Sequence, residues 1–217
     1  HLEGVGQKNV AGSREDTLVG HAKDFAALLD ASDPFIQAEE LIVGCRLTRV
    51  ENRKALNLGY YDPHYPPGHA LILRMGLPGI RDRAREKRQK ETSPEKKQFL
   101  EAVEIAYQAA CDYVVRFADF AAGMAAHQTS SDRRRELETT AGICRELTLG
   151  PPTSFQAALQ LFQFTRVFGG VGCIGRFDQW MYPFYKQDIA NGRLTREAGQ
   201  ELLECLFIKL NYFGDEN

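Results

Sequence analysis

Nothing in these 217 residues approaches the roughly 18 consecutive apolar positions that a membrane span requires. No sign of charge dominates, since 27 Lys and Arg stand against 29 Asp and Glu for a formal net charge of -2. That balance gives no reason to expect nucleic acid or an acidic membrane as partner. The cysteines Cys45, Cys111, Cys144, Cys173 and Cys205 are odd in number, far apart and free of any C-x-x-C. Their spacing argues against a disulfide framework and against a zinc or iron–sulfur site, and a reducing, cytoplasmic setting fits them best. His1, His21, His64, His69 and His127 show no H-E-x-x-H or other ligand spacing, so no metal is expected. The opening His1-Leu2-Glu3-Gly4 is neither an initiator Met nor a basic leader ahead of an apolar stretch. The chain is therefore expected to be an excerpt, with no secretion signal in it. What is present is 43% hydrophobic content, and a chain of this length can bury about 70% of its unfolded surface.

The patterning is dominated by helix. Apolar positions Leu18, Phe25, Leu28 and Leu29 recur at helical spacing between Arg14 and Leu29, and Asp33-Pro34 ends that run. Leu41-Ile42-Val43-Gly44 reads as a short strand. The stretch from Asn57 to Pro78, rich in proline, glycine and aromatics, reads as a structured loop. Ser93-Pro94-Glu95 is a strong helix start, continued by Phe99, Val103, Ala106, Ala110, Tyr113, Phe117 and Met124. A further helix is expected over Ser131 to Leu147, broken by Gly150-Pro151-Pro152. Thr153 to Gln156 offers a capping box into a helix that is apolar all round, and Thr195 caps a last one.

Several groups invite a functional reading. Gly175-Arg176-Phe177-Asp178-Gln179-Trp180-Met181-Tyr182-Pro183-Phe184-Tyr185, followed by Asp188, packs charges and aromatic rings around one proline. Arg176 and Asp178 are expected to form a buried ion pair or backbone anchor, with direct substrate contact as the alternative. His64 and His69 stand among Tyr60, Tyr61, Tyr65 and prolines and could frame a pocket, although hydrogen bonding within a rigid loop is the simpler reading. Asp112 and Asp119 share a helix face that is either solvated or turned to a pocket. The bases from Arg81 to Lys97 alternate with acids and have no aromatic interleaving, which favours a solvated, charge-paired helix over nucleic-acid binding.

The segment from Gly175 to Tyr185 resembles the G-R-x-D-Q-x-x-x-P-x-Y signature of glycyl radical enzymes, the family of pyruvate formate-lyase. Other matches follow in that family's order. Glu40-Leu41-Ile42-Val43-Gly44 resembles its E-L-I-V-G element, and Gly68-His69 with Gly76-Leu77-Pro78-Gly79-Ile80 resembles its G-H loop and G-L-x-G-I. Arg116-Phe117-Ala118 is similar to its R-x-A helix. Pro151 to Ala158 is similar to its P-x-x-F-x-E-A-L. Glu201-Leu202-Leu203 and Ile208-Lys209-Leu210-Asn211 resemble its E-L-L and I-K-L-N helix.

The resemblance implies that residues 1–217 are the amino-terminal part of a pyruvate formate-lyase-like domain. The expected fold is mainly α with a few short strands, a fragment of the family's ten-stranded α/β barrel. It further implies a glycyl radical installed by a separate S-adenosylmethionine/iron–sulfur activating enzyme, a small-molecule substrate and a homo-oligomeric parent. Gly175, Arg176, Asp178, Gln179, Pro183 and Tyr185 would be structural or near the pocket. The family's catalytic cysteine, in G-C-x-E, and its radical glycine, in R-V-x-G-Y, are not found. Gly172-Cys173-Ile174-Gly175 offers glycine for the glutamate, and Cys173 is expected to be a buried thiol. Arg166 to Gly170 is similar to the radical loop but reads as a helix end. Where dehydratase members carry a polar N-G-H-S-like stretch, Gly170 and Val171 stand, which counts against a diol substrate. The chain alone is expected to be inactive and to bind no cofactor. The alternative is a non-catalytic helical interaction module derived from the family.

Overall fold

The computed structural model describes residues 10, 12–13, 15–44, 68–169 and 173–211. Every regular element among them is an α-helix: α1 (Leu18–Ala31), α2 (His69–Lys90), α3 (Pro94–Ala126), α4 (Ser131–Leu149), α5 (Phe155–Gly169), α6 (Phe177–Ala190) and α7 (Arg196–Asn211). The expectation of short strands and a piece of barrel is overturned, because the described residues contain neither.

The reason lies in how the apolar run Leu41–Gly44 satisfies its backbone. Buried peptide groups must find partners, and here the partners are side chains of α5 in place of a neighbouring strand. The Val43 N–H donates to Gln160 Oε1 at 2.8 Å, and the Val43 carbonyl accepts from Gln160 Nε2 at 2.6 Å. Gln156 Nε2 reaches the Leu41 carbonyl at 3.4 Å and Gln163 Nε2 the Gly44 carbonyl at 3.2 Å. A carboxamide carries a donor and an acceptor, as a peptide unit does. Three of them spaced four and three apart lie on one helix face. An acid at position 156 could accept but not donate, so glutamine is the residue that fits the Leu41 carbonyl.

Ion pairs and an arginine complete this clamp. Lys209 pairs with Glu40, their side chains 7% and 10% exposed, and Lys209 Nζ lies 3.4 Å from the Gly44 carbonyl. Arg133 donates to the carbonyls of Glu40 and Gln37 at 3.0 and 3.2 Å and to Glu136 at 2.8 Å.

Helix starts follow the capping residues. Thr17, Ser93, Ser130 and Thr195 each accept from a backbone N–H three residues on. Ser154, instead of the expected Thr153–Gln156 box, caps α5 through Ala157 N–H at 3.1 Å, since the Gln156 amide is committed to Leu41. The loop expected up to Pro78 is helical from His69. Its glycine and proline mark a bend inside α2, with Gly76 at φ 69° and Pro78 in the turn that follows, where its missing N–H costs little. A Cβ on Gly76 would stand 2.5 Å from the Gly150 carbonyl oxygen, so both the backbone angle and the space demand glycine.

The chain divides into two compact units. Among the described residues, one takes α1, α2 from Leu77 onward and α3 as far as Tyr113. In it, Arg85 and Arg88 of α2 pair with Glu104 of α3 at 2.8 and 3.0 Å, the charge-paired helix that the sequence suggests. The other unit takes residues 34–44, the start of α2, α3 from Val114, and α4 to α7. Its centre is α5, buried from Phe155 to Val167 with a single half-buried interruption at Gln156. Phe117 and Phe164 meet edge to face at 5.4 Å, and Leu137, Leu159 and Leu206 are fully buried in the same unit. Each such side chain contributes about 1.5–3 kcal/mol by leaving water.

Candidate functional site

The signature segment opens α6. Gly175 has φ 64°, a turn that favours glycine, and Arg176 follows at the N-cap position. Arg176 and Asp178 do pair, at 3.3 Å (Nε to Oδ1) and 3.2 Å (Nη2 to Oδ2). The pair is not buried as expected, because the two side chains are 69% and 70% exposed on the first turn of a surface helix. Hydrogen bonding to Arg176 holds the Asp178 carboxyl below the usual carboxylate range, and the same contact raises the guanidinium. Gln179 is exposed. Pro183, also exposed, sits within α6, so the Gln179 carbonyl receives no helical N–H. The Tyr185 ring meets Phe155 edge to face at 5.4 Å. Its Cε2 would lie 2.9 Å from a Cβ on Gly199, so α7 approaches this ring through a glycine.

Asp188 shows why the aromatic run ends on an acid. Its buried Oδ2 accepts from the Phe155 N–H at 2.7 Å, satisfying the start of α5, and Oδ1 accepts from Arg193 Nε at 2.9 Å. An anion at a helix N-terminus also meets the positive end of the dipole.

Among the described residues, His69 is the one proposed pocket residue that the structure joins to this segment. It begins α2, is buried, and its ring lies 4.9 Å from Phe162 and 5.2 Å from Trp180. Phe177 and Trp180 meet at 5.1 Å and continue the aromatic cluster. The Thr165 hydroxyl donates to the Phe162 carbonyl at 2.7 Å, so its oxygen accepts from His69 Nδ1–H at 3.3 Å. This leaves Nε2 as the acceptor of the ring. Burial, followed by the Arg166 charge, pulls the imidazole down to about 4, and Arg166 itself lies over Phe162 at 5.8 Å. His69 is thus a neutral hydrogen-bonding group at physiological pH.

That depression has a measurable consequence. The unfolded chain takes up a proton on this histidine near pH 6.5 and the folded chain near 4. Stability is therefore lost as pH falls through that window, by about 3 kcal/mol in all, most of it between pH 7 and 4.5. Urea unfolding at pH 7 and pH 4.5 should show this slope in the wild type and a flatter one in His69→Gln. Equal slopes would mean that the ring is charged or exposed.

The remaining candidates fall elsewhere. Asp112 is exposed, accepts from Gln108 Nε2 at 2.8 Å and edges an open groove with Arg85, Arg88 and Glu104. Asp119 is exposed and pairs with Arg145 at 3.4 Å. Both are exposed on α3. His64, Cys45, Gly170 and Val171 lie outside the described residues. Cys173 is exposed, not buried, and its Sγ accepts from the Gly175 N–H at 3.4 Å. Burial pushes the Cys111 and Cys144 thiols up to about 11 and about 12, where neither is a nucleophile. Gln160 and Thr165 escaped a reading based on motifs, and Glu40 and Arg166 were read only as members of motifs, without their partners. The available signal was three glutamines on one face of an otherwise apolar helix.

Comparison with known proteins fits this geometry. Residues 54–215 match the family described as Pyruvate formate lyase-like. The chain belongs to that family of glycyl radical enzymes. It is 38% identical over 157 residues to isethionate sulfite-lyase of Nitratidesulfovibrio vulgaris, covering 66% of this chain and 19% of that protein. It is 33% identical over 159 residues to (2S)-3-sulfopropanediol dehydratase of Klebsiella oxytoca, covering 68% and 19%. A glycyl radical enzyme structure from Archaeoglobus fulgidus shares the fold with a TM-score of 0.81, at 20% identity, over 96% of this chain and 39% of that one. The chain spans about a fifth of the length of the curated relatives it matches, 19% in both cases.

Proposed function

We propose that these 217 residues are the amino-terminal helical part of a glycyl radical enzyme that cleaves a carbon–carbon, carbon–oxygen, carbon–nitrogen or carbon–sulfur bond in a small substrate. The observation that carries this reading is a family match over residues 54–215 by a chain spanning 19% of its relatives. The radical residues would then lie on further polypeptide, with the glycyl radical installed by an S-adenosylmethionine/iron–sulfur activating enzyme. Relatives named for isethionate and for (2S)-3-sulfopropanediol suggest substrates of that size. The role of this part is to hold the Leu41–Gly44 segment rigid through α5 and to present His69 and Trp180 as a neutral, partly aromatic wall. Wide-spaced thiols favour a cytoplasmic parent, and the family resemblance favours a homo-oligomeric one. The second reading, a helical interaction module, rests on Phe207 and Ile208, both exposed on α7. An antibody raised against this chain separates the two in lysate of the source cells. A polypeptide several times longer is the expected band, and a band at the mass of 217 residues alone would sink the enzyme reading in favour of the module.

A further inference from the structure

The hairpin of α2 and α3 neutralises its arginines and leaves its lysines unmatched. Arg85 and Arg88 reach Glu104, and Arg88 also faces Glu101 at 3.8 Å. Lys87, Lys90 and Lys96 are exposed, and their ammonium groups make no hydrogen bond or ion pair among the described residues. They surround an open depression of about 410 Å³ together with Glu91, Phe99 and Leu100. Glu91 is the one acid of the rim, and its carboxylate is occupied with the turn, accepting from the Thr92 and Ser93 N–H groups at 2.9 and 3.0 Å. Phe99 is 55% exposed. Its helical spacing suggests a core residue, yet the structure turns it outward.

An apolar floor inside a ring of cations, of which Lys96 alone is offset in part by the Glu91 charge, specifies its occupant by complementarity. Carboxylates answer the three ammonium groups, and an aromatic or branched side chain answers Phe99 and Leu100. The ammonium groups are mobile point charges, which suit flexible carboxylates and offer no bidentate fork for phosphate. One phenyl ring provides no succession of stacking surfaces for a nucleic acid strand. The floor is concave, whereas a membrane-binding helix needs a projecting apolar face.

We propose that this depression at the tip of the α2–α3 hairpin docks an acidic protein segment that carries a central aromatic or aliphatic side chain. The interaction is independent of the radical chemistry and belongs to the hairpin itself. Steering by the lysines makes it sensitive to salt, while the Phe99 contact sets its persistence.

Fluorescence anisotropy with the 217-residue chain tests it, using a short fluorescein-labelled peptide in which glutamates flank a Phe-Leu pair. Binding that weakens with added salt is expected. Joint Lys87→Gln, Lys90→Gln and Lys96→Gln substitution should weaken it about tenfold or more, as should Phe99→Ser alone, with far-UV circular dichroism unchanged. The proposal is overturned if the wild type does not bind, if a peptide with glutamine for glutamate binds equally, or if Phe99→Ser has no effect. It is also overturned if phosphatidylserine vesicles or duplex DNA displace the peptide through the same lysines, which would make the patch a general anion surface.

Discussion

Lys209→Met is expected to lower the stability of the chain by about 3–5 kcal/mol, the cost of leaving a buried charge without its partner. Glu40 and Lys209 are 10% and 7% exposed, so water screens neither. Removing the ammonium strands the Glu40 carboxylate and also takes one donor from the Gly44 carbonyl, which keeps Gln163. The double variant Glu40→Leu with Lys209→Met should recover most of the loss, since a buried ion pair replaced by apolar groups of similar volume is often neutral. Urea denaturation of the four members of this cycle measures the coupling directly. A single variant within about 1 kcal/mol of wild type would show that water reaches the pair and that the clamp does not depend on it.

This pair also marks the limit of what was legible in the sequence. Glu40 and Lys209 both fall inside motifs that the resemblance picks out, and both motifs were readable. Their pairing was not, because 168 intervening positions carry no periodic trace of a contact between a coil and a helix end. Helix content was readable because capping residues and apolar spacing are local: Ser93 and Thr195 act where they stand, while the cap of α5 falls on Ser154 and not on Thr153. The strand reading of Leu41–Gly44 failed for a physical reason. β-propensity reports a buried apolar run, and burial is true of Ile42, Val43 and Gly44. What it cannot report is whether the partner is another backbone or three glutamines. The bend at Gly76 was mistaken for loop because glycine and proline mark both. Only the proximity of the Gly150 carbonyl explains why a helix tolerates them there.

The candidate site was legible in kind more than in arrangement. His69 was singled out, but its neutrality comes from burial beside Phe162 and Trp180 and then from Arg166, neighbours drawn from α5 and α6. The charges of the signature suggested a buried pair because desolvated charges need partners. Arg176 and Asp178 have each other, yet they sit where desolvation is slight. A pair of this kind contributes about 0–1 kcal/mol, so it orders the first turn of α6 more than it stabilises the fold.

The largest expected effect is on chemistry: the 217-residue chain should give no glycyl radical signal and no turnover. The test is anaerobic incubation with an activating enzyme of the family and S-adenosylmethionine. Hydrogen-atom relay among glycine, cysteine and substrate depends on holding reacting atoms in contact, an advantage worth about 7–11 kcal/mol when geometry is right. Neither imitation within the sequence meets that demand. Cys173 is exposed, and Gly175 stands in place of the glutamate. Gly169 closes the last turn of α5, where a backbone held in helical hydrogen bonds would have to unwind to enter an activating enzyme. Electron paramagnetic resonance decides the matter, with a full-length family member activated in parallel as the positive control. A doublet from this chain that collapses when its glycines are α-deuterated would place a radical on it and overturn the proposed division between this helical part and the radical machinery. A flat spectrum beside an active control is the expected result, because the described helices provide anchorage and a neutral wall but no thiol poised against a radical store.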